Sequence, residues 1–163
     1  MSDWDRIVRE HGPLVFATAK RILGHTADAE DVFQEVFLEA HHYAQARPVR
    51  HWPALLRRFA TCRALDSLRR RRSVLPLPGV HVRAGGQGPE EAAMAKELAD
   101  RLRQGLASLA PREGEVFCLR YFDDLSYQQI AEVLEIPAGA VAQALHKARA
   151  RLESMLSAAV KGA

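Results

Sequence analysis

Residues 73–90, SVLPLPGVHVRAGGQGPE, hold three prolines and four glycines. Proline lacks a backbone donor and glycine loses the most entropy on ordering, so this stretch cannot hold a regular helix. On both sides apolar residues recur at helical spacing, up to about Arg72 and again from about Glu90. The expected fold is therefore all-α, with two small helical domains, residues 1–72 and 91–163, joined by a Pro/Gly-rich linker over 73–90. No hairpin signal and no internal repeat competes with that reading.

The 163 residues are 48% hydrophobic, enough for a core. The net charge is only +3, but it is unevenly spread. Residues 1–73 hold 13 Lys and Arg against nine Asp and Glu, whereas residues 95–163 hold nine of each. A localised basic surface points to a polyanionic partner. Cys62 and Cys118 fall within helical patterns and make neither a disulfide framework nor a metal-ligand spacing. Both read as small apolar packing residues, and no metal or cofactor is expected. The start, MSDWDRIVRE, is too charged for a signal peptide. No apolar run approaches the ~18 residues that span a bilayer, so a cytoplasmic protein without membrane insertion is expected.

Three helices are expected in the first half. The first covers about Asp3 to Leu23, with Pro13 as a candidate bend and Gly24 as its stop. Thr26 is placed to cap the second, whose first turns carry Asp28, Glu30 and Asp31 against the helix dipole. That helix is expected to reach about Tyr43, with AQARPV as a loop. The third runs from about His51 to Arg72, with Pro53 tolerated in its first turn.

The second helix contains DAEDVFQEVF, residues 28–37, in which four residues are carboxylates and four are Val or Phe. Ala29, Val32, Phe33, Val36, Phe37 and Ala40 share one face, the core stripe. Asp31, Gln34, Glu35 and Leu38 share the other. That face is either solvated with one stray leucine, or a docking surface for a basic partner. The third helix carries a stripe of Trp52, Leu55, Leu56, Phe59 and Cys62, with Arg57, Arg58 and Thr61 opposite. It ends in Arg69, Arg70, Arg71 and Arg72, which suit either a solvated helix end or phosphate contacts.

In the second half, Ser126 and Gln129 make a capping box for the helix YQQIAEVL. The short turn EI follows, and Pro137 opens another helix to about Leu156. Ala131 suits a close crossing, and Ile130, Leu134, Ile136, Val141, Leu145, Ala148 and Leu152 are the expected shared core. This is a helix-turn-helix pattern, with a plain helical hairpin as the alternative. Leu106, Leu109, Val116, Phe117, Leu119 and Tyr121 provide supporting helices, one starting near Pro111. No enzyme is expected: His41 and His42 diverge on a helix, and no nucleophile has a base beside it.

HGPLVFATAKRILG, DAEDVFQEVFLEA, LDSLRRRR, LASLAPREGEVFCLRYFDDLSYQQIAEVLEIP and LHKARARL occur here in one order. They resemble the extracytoplasmic-function (ECF) sigma factors of the sigma-70 family, bacterial RNA polymerase subunits that direct the enzyme to promoters. The resemblance implies that Asp31, Gln34, Glu35 and Leu38 dock on the clamp helices of core polymerase. It implies that residues 44–51 and the next helix contact the minus-ten element, with Arg57, Arg58, Cys62, Arg63 and Arg69 to Arg72 as the DNA contacts. It places the helix from Pro137 in the major groove at the minus-thirty-five element, with Ala140, Gln143, His146, Lys147 and Arg149 facing DNA, and lets the second domain touch the polymerase flap. An anti-sigma factor is a further implied partner.

The chain departs from the family pattern. Where the family commonly has Thr, Lys, Ser and Arg across the recognition helix, this sequence has Ala140, Ala142, Gln143 and Ala144. Each lost phosphate contact weakens DNA binding. Cys62 stands where Asn is usual, Glu135 where Gly is frequent, and Gly114 is expected to interrupt a helix. The implied function is a promoter-directing sigma subunit. The alternative is a sigma-like regulatory interaction protein with weak or lost promoter recognition. Free of partners, the two domains either move about the linker or pack together with their DNA surfaces hidden.

Overall fold

The computed structural model describes residues 1–74 and 88–161, with side chains described for 1–71 and 88–158. Most of the expected linker and the Arg72 side chain lie outside these. Every described element is a helix: α1 (Asp3–Leu23), α2 (Thr26–Ala46), α3 (Trp52–Val74), α4 (Pro89–Ser108), α5 (Pro111–Tyr121), α6 (Tyr127–Leu134) and α7 (Ala138–Lys161).

Local chemistry sets the helix ends. Ser2 caps α1, its hydroxyl accepting from the Asp5 amide at 3.1 Å while the Asp5 carboxylate accepts from Ser2 in return. The helix continues across Pro13 and stops at Gly24, whose φ of 77° lies in the left-handed region. Thr26 does not cap α2 as expected. It has joined the helix, His25 is the extended flanking residue, and the Thr26 hydroxyl accepts from Lys20 Nζ at 2.8 Å. The expected loop AQARPV is also shorter, because Ala44, Gln45 and Ala46 continue α2. These are helix-tolerant residues, and the first barrier is Pro48, which forces Arg47 into an extended conformation. At α3, the imidazole Nδ1 of His51 accepts from the Ala54 amide at 3.1 Å.

α1, α2 and α3 form a three-helix bundle around Val15, Ile22, Val32, Val36, Leu56 and Leu65, all buried. The stripe expected on α2 is buried at Ala29, Val32, Val36, Phe37 and Ala40. The helix-turn-helix of α6 and α7 has its own small core, with Val116, Leu119, Ile130, Leu134, Val141 and Leu145.

Ala148 and Leu152, expected in that small core, belong instead to the large one. There they join Leu106, Leu109 and Cys118 against the N-terminal bundle. α7 is long enough for its first half to serve the helix-turn-helix and its second half to serve the join between the halves. Gly114 does not interrupt a helix either. It lies buried inside α5, where a Cβ would sit 3.2 Å from Leu65 Cδ1 of α3. The glycine is a close-approach position, and the two halves are packed together.

Candidate nucleic-acid interface

Three surfaces carry the candidate residues. On α2, Asp31 and Gln34 are exposed, and Leu38 is 64% exposed, high for a leucine on an otherwise well-packed helix. Glu35 is half-buried and lies 3.9 Å from Arg70. The face is thus acidic around one free apolar side chain.

On α3, every candidate with a described side chain faces a carboxylate of the same chain. Toward α2, Arg63 Nε donates to Glu39 at 2.6 Å and Arg71 lies 2.9 Å from Asp28. Arg69 pairs with Asp66 one turn back, at 2.9 Å. Toward the second half, Arg57 lies 3.4 Å from Asp123, Arg58 3.7 Å from Glu135, and Cys62 Sγ donates to Glu115 at 3.3 Å. Burial, and then the Glu115 charge, push the Cys62 thiol up to about 12. Nearby, an open cleft between α1 and the start of α3 is lined by Arg6, His11, Arg50, His51 and Trp52.

On α7, Gln143, His146 and Lys147 are exposed on one side, and Ala140 is half-buried beside them. Arg149 donates to the Tyr121 hydroxyl and lies over that ring, 5.3 Å from its centroid. Ala144 is buried, 8% exposed against the helix-turn-helix core. The tight turn into α7 is made by Glu135, which adopts φ 56°, ψ 47° where glycine would be unstrained.

Sequence reasoning missed the contacts that close the two halves. Arg21, on the last turn of α1, donates to the Phe122 carbonyl and to Asp123 Oδ1, each at 2.9 Å. Arg103 of α4 donates to the Ile22 carbonyl at 3.0 Å and lies over Gly24, where a Cβ would come within 2.5 Å of its guanidinium carbon. No periodic signal marks these residues, since each acts on a partner about 80 to 100 positions away.

The geometry defines an all-helical protein with an exposed acidic face around Leu38, an arginine-lined helix and a helix-turn-helix. The description Sigma-70 region 2 matches residues 7–74, and Sigma-70, region 4 matches residues 99–152. The chain belongs to the sigma-70 family, in its ECF group. It is 31% identical over 161 residues to the ECF RNA polymerase sigma factor SigE of Mycolicibacterium smegmatis, covering 96% of this chain and 63% of that protein. The chain therefore spans less than two thirds of the length of SigE. It is 29% identical over 154 residues to SigW of Bacillus subtilis, covering 87% of this chain and 82% of that one. Among solved structures it resembles CnrH in complex with the cytosolic domain of CnrY, with a TM-score of 0.61 and 25% identity over 95% of this chain and 88% of that one. Among the described residues no helix is long and apolar enough to cross a membrane, and no group of His, Cys, Asp and Glu could hold a metal ion.

Proposed function

We propose that this chain is a sigma subunit that binds core RNA polymerase and directs promoter-specific initiation, in the cytoplasm and without catalysis of its own. The observation that carries the reading is the coexistence of two open surfaces in the family's order. The α2 face offers Asp31, Gln34 and Leu38, and α7 offers Gln143, His146 and Lys147. Acidic groups steer toward a basic partner, and an exposed leucine supplies apolar burial at the contact. Gln143 can read an adenine edge, while Lys147 can meet phosphate. With alanine at 140, 142 and 144, minus-thirty-five recognition is weak and leans on few contacts. That CnrH is found in complex with the cytosolic domain of CnrY supports a protein partner for this chain beyond polymerase and DNA, and the family resemblance makes an anti-sigma factor that partner.

The test is transcription with purified chain, bacterial core polymerase and a pool of promoter DNA. Starts that appear only when the chain is added are the expected result. Polymerase binding with no specific start, on several polymerases and an open linear template, would replace this reading with the interaction-only one.

A further inference from the structure

We propose that Arg21 and Arg57 form a backbone-phosphate site for promoter DNA, and that the Asp123 carboxylate occupies this site in the free chain. The inference rests on the sigma reading above and adds to it an unassigned residue, Arg21, and a competitor carried by the chain itself.

The two guanidinium groups come from different helices, α1 and α3, and converge on one oxygen. Asp123 Oδ1 lies 2.9 Å from Arg21 Nη2 and 3.4 Å from Arg57 Nη1. Guanidinium groups around an anionic oxygen make the recognition geometry of phosphate as much as of carboxylate. The burial is unequal. The Arg21 and Arg57 side chains are 45% and 27% exposed, whereas that of Asp123 is 1% exposed. The arginines therefore stand at a rim that water reaches, and the carboxylate is the group that has been desolvated. Its desolvation raises the Asp123 pKa, with Arg57 and Arg21 opposing, so this occupant is held at a cost. A phosphate at the same rim keeps part of its hydration and meets the same two cations.

Asp123 is not alone on this face. Glu135 lies against Arg58 and Glu115 against Cys62, so three acidic residues of the second half cover the first three turns of α3. The other two surfaces are left open in the same molecule: Leu38 on α2, and Gln143 and Lys147 on α7. The cover is thus selective for the arginine face of α3, and DNA reaches that face only when the α5–α6 corner moves off it.

The full chain and its variants are titrated against a fluorescent single-stranded DNA of mixed sequence over a range of salt, with circular dichroism as the folding control. Apparent affinity scales with the open fraction, so Asp123→Asn, opening a chain about 90% closed, binds about tenfold tighter. Adding Arg21→Ala to Asp123→Asn reverses that gain and lowers the salt slope by ~0.7, the value of one single-strand phosphate. Should Asp123→Asn fail to fold, Glu115→Gln with Glu135→Gln uncovers the same face without touching the pair. Folded variants with unchanged affinity, and an Arg21→Ala slope equal to that of its parent, would show a structural staple only and overturn the proposal. Wild-type transcription run in parallel keeps the two ideas apart. Specific starts beside unchanged DNA binding sink the phosphate site and leave the sigma subunit standing. The tenfold gain without any start supports the site and counts against the sigma reading.

Discussion

Cys62 Sγ donates to Glu115 Oε1 at 3.3 Å, tying α3 to α5 across the join between the two halves. The family's usual asparagine would offer an amide here. The thiol instead acts as a weak donor to a carboxylate of its own chain.

Burial, and then that contact, make Cys62 unreactive. With its pKa pushed to about 12, its thiolate is roughly a thousandfold scarcer at neutral pH than that of an ordinary cysteine. Iodoacetamide labelling of the folded protein should be slow, and Glu115→Gln should speed it. Fast labelling of the wild type would instead point to a reactive, redox-sensing thiol.

His25 makes stability depend on pH. Its burial, then the Arg71 charge, hold its pKa below the ordinary 6.5. The folded state thus prefers neutral imidazole, and the unfolded state binds more protons. Its contribution is complete above about pH 6.5 and is lost as pH falls toward the depressed folded value. Urea midpoints between pH 7 and 5 should fall more steeply for wild type than for His25→Gln. Parallel curves would assign the acid sensitivity to other groups.

Glu135→Gly should stabilise the chain. A side chain at φ 56° costs about 1 kcal/mol that glycine avoids. The pair it loses, Glu135 with Arg58 at 3.7 Å and 79% exposed on the glutamate side, contributes little in water. Thermal unfolding should shift up by a few degrees, roughly as a 1 kcal/mol gain does in a small domain. A lower Tm would show that the Arg58 contact outweighs the backbone strain.

Asp31→Arg with Leu38→Ala should abolish core-polymerase binding and leave helix content intact. Both side chains are exposed, so neither supports the fold. Native electrophoresis with core polymerase reads the first effect and circular dichroism the second. Unchanged binding would move the docking face elsewhere.

Features set within a few residues were legible before folding. The Ser126–Gln129 capping box is present, with the Gln129 amide donating to Ser126 Oγ at 3.1 Å, and α6 spans the expected YQQIAEVL. The α1 limits, Asp3 and Leu23, follow from a capping serine and a left-handed glycine. Thr26 and the residues after Tyr43 were misjudged because cap and helix-interior preferences differ by only about 1 kcal/mol, which packing of the adjoining turns overrides.

Sequence alone determined the class of fold, the helix-turn-helix and the family, because periodicity, caps and motif strings are local and survive without knowledge of neighbours. Tertiary structure decided which core each apolar face joins, as Ala148 and Leu152 show, and why Gly114 must be small. It also decided the partners of the arginines. A run such as Arg69 to Arg72 announces charge but not direction. Whether Arg57 meets solvent, DNA or Asp123 depends on a residue 66 positions away, brought to 3.4 Å only when the shared core of the two halves closes.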